Sequence, residues 1–160
     1  MILSNYKTFL DKLFQKLNEK GIDVSNYELD HLGYISPFGE EYDKVKQEVL
    51  EIADLDHESE VGQWLVSAYK LKTPLIYKNY KIHAIELITP KDGSKVKSGF
   101  EHVEFVLNES FDSLIAKYPN LNWDISKIKR KEYSMLKLKL SDDMQVKFPR
   151  KSVLRKSKKS

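Results

Sequence analysis

The stretch Gly99-Phe-Glu-His-Val-Glu-Phe-Val-Leu107 decides the fold, because it places ionisable residues along one side of an apolar strand. Successive side chains of a strand point to opposite faces of the sheet, so Val103 and Phe105 share one face while His102 and Glu104 share the other. The stretch therefore predicts a sheet that presents an imidazole and a carboxylate side by side.

Two further strand-like runs carry residues of the same kind. Asp30-His-Leu-Gly-Tyr-Ile-Ser36 has a histidine, His31, near its start, and Lys81-Ile-His-Ala-Ile-Glu-Leu-Ile88 has Glu86 among aliphatic residues. A lone buried charge is strongly unfavourable, so we expect Glu86 to have a cationic partner. Together with His102, these residues predict one shared site on three strands.

Composition limits the class of protein and the kind of site. The chain has 160 residues, of which 41% are hydrophobic and 32% charged, as in a soluble globular protein of one domain or two small halves. No apolar run approaches the roughly 18 residues of a membrane span, and the first residues lack the order of a signal peptide, so we expect a cytoplasmic protein without a membrane partner. Without cysteine, a metal site must use nitrogen and oxygen ligands, which excludes zinc fingers and iron–sulfur clusters.

The net charge of +3 is unevenly distributed. Seven of the 27 basic residues lie from Lys147 to the end of the sequence, with no acidic residue among them. This pattern is typical of a solvated basic tail, and salt-dependent contact with nucleic acid is a weaker alternative. The sequence also lacks a glycine-rich nucleotide loop and the Gly-x-Ser-x-Gly elbow of serine hydrolases.

Hydrophobic periodicity predicts the order of elements. Helices are expected over 5–20, from Ser36-Pro37 to about Ile52, and over 110–118, and strands over 31–35, 60–70, 74–78, 81–88, 100–107, 123–130, 133–140 and 144–148. The predicted division is an N-terminal helical region (1–29), a first strand–helix–strands module (30–90), a linker (91–98), a second module (99–150) and a basic tail (151–160). The predicted class is α+β, with one compact domain overall.

This repeated order, with a histidine on the first strand of each half, resembles the vicinal-oxygen-chelate superfamily of glyoxalases, extradiol dioxygenases and fosfomycin- and bleomycin-resistance proteins. Four short blocks are similar to the YecM family: Asp30-His31, Ile85-Glu86-Leu87 followed by Pro90, Gly99-Phe-Glu-His-Val-Glu104, and Val146-Lys-Phe-Pro149. The family's extra N-terminal helical region would correspond to the helix predicted over 5–20.

The resemblance implies two βαβββ modules that form a cupped, glyoxalase-like sheet around a cavity holding a divalent metal. By position, His31 and His102 would be the ligands from the first strands, and Glu86 the carboxylate of the first module. The fourth ligand of the superfamily falls at Lys147 or, less favourably, at Gln145. Lysine departs from the four-ligand pattern, because a protonated lysine repels a metal ion. Nitrogen and oxygen ligation fits Mn, Fe, Co, Ni or Zn.

Two functions follow as expectations. The first is a metal-dependent isomerase, lyase or dioxygenase acting on a small molecule, with Glu104 as a fourth ligand, a partner that orients His102, or the general base. The second is a non-catalytic small-molecule binding protein in which Lys147 and the carboxylates hold an anionic ligand. Either a monomer or a homodimer fits the sequence. His83 is assigned to the opposite sheet face and His57 to a solvated loop, so neither is included in the site.

Overall fold

The computed structural model describes residues 2–155, which contain three α-helices and seven β-strands. After a 3₁₀ turn at Ile2–Asn5, the helices are α1 (Tyr6–Glu19), α2 (Glu40–Ile52) and α3 (Phe111–Lys117). The strands are β1 (Glu28–Ile35), β2 (Ala53–Val61), β3 (Trp64–Tyr77), β4 (Tyr80–Pro90), β5 (Gly99–Val106), β6 (Met135–Ser141) and β7 (Met144–Pro149). Within residues 2–155, none of the helices has the length and apolar character needed to cross a bilayer.

All seven strands form one mixed sheet in the order β2-β3-β4-β1-β5-β7-β6. β1 lies in the middle, parallel to β4 and antiparallel to β5, and β5 is parallel to β7. The first strands of the two predicted halves are thus direct neighbours, which brings their histidines together. The α+β class is as predicted. The division at 30–90 and 99–150 stays a prediction, since the strands of both halves share this sheet.

The three helices cover one face of the sheet and build the main core there. Apolar side chains of α1, α2 and α3 pack with alternate residues of the strands, including Leu10, Val49, Leu114, Leu32, Ile85, Val103, Phe105 and Val146. The remaining strand residues point to the opposite face, which we call the site face. In the register of the sheet this face carries His31, Gly33, Glu86, His102 and Glu104.

Three of the β-bulges that interrupt this alternation contain an acidic residue directly before a histidine. In the ladder between β1 and β5, β1 has one extra residue, Asp30, directly before His31. In the same ladder, β5 has one extra residue, Glu101, directly before His102. Asp56 is the extra residue before His57 in the β2–β3 ladder. A bulge redirects a side chain that regular alternation would send to the other face. The acidic side chain can therefore lie beside its own histidine.

Two details of the predicted strands are wrong. Residues 123–130 form turns in place of a strand, and only Asp124 bridges to Lys137 of β6. The Asp124 carboxylate accepts the Ser126 N–H at 2.9 Å, a local bond that competes with a sheet ladder. The predicted strands over 60–70 and 74–78 are also wrong, because the chain forms β2, which ends at Val61, and then one continuous β3 over Trp64–Tyr77. The turn between these two strands contains Gly62, whose left-handed φ of 61° suits a glycine.

Candidate metal centre

Four ionisable side chains from three adjacent strands meet on the site face. They are His31 of β1, Glu86 of β4, and His102 and Glu104 of β5, and one ligand atom from each lies within 4.8 Å of the others. The register explains the meeting, because His31 pairs with Glu104 while Gly33 pairs with both Glu86 and His102. All four are buried, the most exposed being Glu86 at 6%. The set predicted from the sequence is thus brought together.

The imidazole Nε2 atoms point into the centre of this group. His31 Nε2 lies 3.1 Å from Glu104 Oε2 and 3.9 Å from Glu86 Oε2. His102 Nε2 lies 3.2 Å from Glu86 Oε1 and 3.3 Å from Glu104 Oε2. These contacts lack the alignment of hydrogen bonds, and within the described residues neither Nε2 atom has a hydrogen-bond partner. Two buried nitrogens and two carboxylates therefore face one small volume.

The opposite nitrogen of each ring is held by the bulge carboxylate beside it. His31 Nδ1 contacts Asp30 Oδ2 at 2.8 Å, and His102 Nδ1 contacts Glu101 Oε1 at 2.6 Å. The amide of Gln145 in turn donates to Glu101 Oε2 at 3.0 Å. A carboxylate on Nδ1 fixes the tautomer of a metal-binding histidine and directs Nε2 toward the ion. Both rings are oriented in this way.

The electrostatics of the group favour a cation. Burial by itself lowers the pKa of His31, but the charge of Glu104 and the bond to Asp30 outweigh it and hold the pKa well above its ordinary value. Burial and the charge of Lys147 lower the pKa of His102, yet the Glu101 carboxylate raises it to about 10. Burial opposes ionisation of Glu104, but the neighbouring His31 keeps its pKa well below the usual range. The carboxylates in and around the group therefore favour positive charge at its centre.

Gly33 makes the space that the His102 ring occupies. A Cβ atom built on Gly33 would lie 2.0 Å from Cε1 of His102 and 2.4 Å from its Nε2. Real side chains do not approach so closely, so only glycine permits this ring position opposite β1. An isolated glycine within a strand pattern is typical of a close approach, and this signal was present in the sequence.

Tyr133 is a member of the site that the sequence did not indicate. It lies in the segment between α3 and β6, with a left-handed φ of 49°, and its hydroxyl donates to Glu104 Oε1 at 2.8 Å. Its carbonyl accepts from Arg130 Nη2 at 2.8 Å. Burial, followed by the Glu104 charge, raises the pKa of Tyr133, so the hydroxyl stays protonated and donates. Nothing periodic in the sequence marks this position.

The two residues expected at the fourth ligand position lie beside the group. Gln145 is bonded to Glu101, and Lys147 pairs with Glu104 across the β5–β7 ladder. The close ion contacts within the group are made by the histidines and not by Lys147. Glu104 offers the fourth candidate ligand atom, a carboxylate oxygen. Two imidazoles and two carboxylates form a donor set that suits a first-row divalent metal.

His57 was assigned to a solvated loop, and this assignment is wrong. It lies in β2, half-buried, with Nδ1 at 2.7 Å from Asp56 Oδ2. It repeats the acid–histidine pairing of the site two strands away but is not a member of the four-residue group.

Comparison with known proteins identifies the family. The model of the family described as YecM protein matches residues 1–154. The chain belongs to the YecM family. A search of curated proteins found no match for this YecM-family chain.

Solved structures place the fold of this YecM-family protein in a wider group. A structural-genomics structure described as Protein EC4020 has a TM-score of 0.78 at 19% identity, covering 95% of this chain and 87% of that one. Methylmalonyl-CoA epimerase of Streptomyces coelicolor, in complex with 2-nitronate-propionyl-CoA, has a TM-score of 0.55 at 11% identity, and the match covers 76% of this chain and 95% of the epimerase chain. BphC, a halotolerant catechol dioxygenase, has a TM-score of 0.50 at 16% identity, and the match covers 76% of this chain and 39% of the dioxygenase chain.

The epimerase and the dioxygenase belong to the vicinal-oxygen-chelate superfamily. At these identities the likeness shows the fold alone, and it confirms the predicted glyoxalase-like class. The buried group of His31, Glu86, His102 and Glu104 could hold a metal on this fold.

Proposed function

We propose that this YecM-family protein is a divalent-metal-dependent enzyme of the vicinal-oxygen-chelate type, acting on a small molecule as an isomerase, lyase or dioxygenase. His31, Glu86 and His102 are its metal ligands, and Glu104 is either the fourth ligand or the general base. One observation carries the proposal: two buried imidazole Nε2 atoms without hydrogen-bond partners face the Glu86 and Glu104 carboxylates. Buried polar atoms of native proteins are nearly always satisfied, so this arrangement calls for a cation.

The surrounding residues fit this role. Asp30 and Glu101 occupy Nδ1 of the two histidines, which leaves Nε2 of each ring to bind the ion once the ion displaces its proton. A bound divalent ion would supply a Lewis acid that polarises oxygen atoms of the substrate. Mn, Fe, Co, Ni and Zn all accept these nitrogen and oxygen donors.

Glu104 is the residue best placed to move a proton. Its Oε2 atom lies near both histidines, while its Oε1 atom accepts the Tyr133 hydroxyl. Because Tyr133 remains protonated, it fixes the orientation of the carboxylate and stabilises its charge. Glu104 Oε2 would then accept a proton from a substrate held beside it. The same geometry serves isomerase and lyase chemistry.

Metal content tests the proposal. Protein purified without chelator should contain, or take up on dialysis, close to one divalent ion per chain, and His102→Ala and Glu86→Gln should lose most of it. His83→Ala is the matched control, because His83 lies three residues from Glu86 on the same strand but outside the group. If wild-type protein holds no metal and takes none up, the proposal fails.

A second candidate is a non-catalytic binding protein for a small anionic ligand. The half-buried Lys147 favours it, because it is the ladder partner of Glu104 and its positive charge helps to lower the pKa of that carboxyl. In that case Lys147→Met would abolish ligand binding in protein that carries no metal. A metal-bearing wild type whose metal depends on His102 would exclude this candidate.

A further inference from the structure

The segment that follows β7 crosses the site face next to the candidate metal centre. We call residues 150–155 the strap. Its Val153 and Leu154 side chains are buried, at 7% and 9% exposed, in a small apolar cluster with Ala68 and Ala84. Tyr133, whose hydroxyl is bonded to Glu104, packs against the same cluster. The strap therefore lies directly beside the residues that form the site.

The register of the sheet gives the position of the strap more closely. Ala84 is the β4 partner of His31, and Ala68 is the β3 partner of Glu86, so both alanines share the site face with candidate ligands. Larger side chains at these two positions would fill the volume that Val153 and Leu154 occupy. The small alanine side chains thus leave room beside the candidate metal centre, and Val153 and Leu154 occupy it.

The strap is anchored by the bulge carboxylates. The Val153 N–H donates to Asp30 Oδ2 at 2.9 Å, the same oxygen that contacts His31 Nδ1. The Arg155 N–H donates to Asp56 Oδ2 at 2.9 Å. Movement of the strap would therefore break a bond to the carboxylate that orients one of the candidate ligands.

The strap is also separable from the rest of the fold. It contains no helix or strand, and its apolar cluster is distinct from the main core on the helix face. Segments with few buried apolar contacts and no ladder hydrogen bonds open at low free energy. The buried Val153 and Leu154 side chains lie against Ala68 and Ala84, so a ligand group can occupy that space only if the strap moves.

We propose that the strap occupies the substrate pocket of the metal centre, and that the substrate displaces it by placing a branched aliphatic group over Ala68 and Ala84. This inference rests on the proposed function of the site. The substrate class is a small molecule that carries a branched aliphatic group beside the oxygen atoms that bind the ion. The Val153 and Leu154 side chains mimic that group when the pocket is closed.

The test compares ligand binding by two Co²⁺-loaded proteins, the full-length chain and a chain that ends after Lys151. The shortened chain lacks the Val153 and Leu154 side chains and the anchoring N–H groups of Val153 and Arg155. A chain ended after Arg155 is the matched control. The probe is 4-methyl-2-oxopentanoate, and pyruvate is its counterpart with the same adjacent oxygens and no branched group. Binding is read from the visible absorption of Co²⁺.

A strap that is closed nine-tenths of the time lowers apparent affinity about tenfold. The chain ended after Lys151 should therefore bind 4-methyl-2-oxopentanoate about tenfold more tightly than the other two chains, with little change for pyruvate. A synthetic peptide of residues 150–155 should compete with the probe. Equal affinity of all three metal-loaded chains for the branched probe would overturn the proposal.

A second variant guards against a folding defect in the shortened chain. The double substitution Val153→Gly and Leu154→Gly keeps the full length and both N–H donors, and it should give the same gain in affinity and a faster loss of Co²⁺ to a chelator. If the chains take up no Co²⁺, the proposed function fails. Binding of the synthetic peptide of residues 150–155 then tests the strap by itself, because the peptide should still bind the chain that ends after Lys151 and should not bind the full-length chain.

Discussion

Replacing Gly33 with alanine should displace the His102 ring and weaken the metal centre. The new Cβ atom would lie 2.0 Å from Cε1 and 2.3 Å from Nδ1 of that ring, whereas non-bonded carbon atoms rest at about 3.5–4.0 Å. The ring must therefore move by about 1.5 Å or more. The backbone of Gly33 does not require glycine, since it is not among the glycines with positive φ. The expected effect is therefore steric.

Two magnitudes follow from this displacement. Overpacking of a buried position costs about 1–3 kcal/mol of the free energy of unfolding. Movement of the ring also breaks the 2.6 Å contact between Nδ1 and Glu101, and loss of such an orienting partner lowers metal affinity about 10–100-fold. The first effect is measured by urea unfolding of metal-free protein, and the second by competition with a chelator.

The double variant Gly33→Ala/His102→Ala separates this clash from any other effect of the substitution. Removal of the ring leaves the new methyl group without its nearest neighbour, so the double variant should be destabilised by clearly less than the sum of the single variants. We expect a coupling energy of about 1–3 kcal/mol in metal-free protein. Additivity within about 0.5 kcal/mol would refute the steric argument. Unchanged stability and metal affinity in Gly33→Ala alone would refute it as well.

Three further substitutions test other parts of the structure. Tyr133→Phe leaves the buried Glu104 carboxylate without its hydroxyl donor and should destabilise the protein by about 1–3 kcal/mol in urea unfolding. Asp30→Asn weakens the orientation of His31 and should lower metal affinity about 10–100-fold in chelator competition. Hydrogen bonds from Lys117, Ser113 and Tyr27 lower the pKa of the Glu109 carboxyl from 4.5 to about 2. Glu109→Gln should therefore lower Tm near neutral pH, and the difference in Tm from wild type should shrink as the pH falls from about 4.5 toward 2.

The sign of the pH effect follows from the lowered pKa. A carboxyl with a lower pKa in the folded state stabilises the protein above its unfolded pKa and loses that contribution in acid. A Tm difference that stays constant down to pH about 2 would contradict the assignment.

Tyr118→Phe is the control for Tyr133→Phe, and Asp23→Asn is the control for Asp30→Asn, because the control side chains make exposed hydrogen bonds away from the site. Equal effects of control and test variants would contradict the roles of Tyr133 and Asp30.

Alternation and apolar context were enough to predict which side chains meet at the candidate metal centre. In β5, period-2 alternation placed His102 and Glu104 on one face, as observed. The aliphatic neighbours of Glu86 predicted its burial and its cationic partners, which are the two imidazoles. These residues lie in regular strands, where local sequence determines the direction of each side chain.

The remaining parts depend on irregular backbone or on long-range contacts. Asp30 and Glu101 orient the histidines only because bulges override alternation, although an acid directly before a histidine occurs three times in the chain and is a usable signal. Tyr133 reaches Glu104 across 29 residues from a loop, and no periodic pattern encodes such a contact. The strand expected over 123–130 is absent because its polar side chains bond locally.

The bulges make each acid–histidine pair sensitive to chain length as well as to residue type. Because Asp30 is an extra residue in its ladder, deleting it would not simply remove a carboxylate. It would also restore regular pairing, with Leu29 opposite Phe105 and His31 opposite Glu104 as they are now, so both side chains would keep their faces of the sheet. The ladder would therefore tolerate the loss, and the cost would fall on the His31 ring and on the strap, which both lose the Asp30 carboxylate. A relative that lacks this residue should keep the histidine opposite Glu104 and lose the carboxylate at its Nδ1 atom.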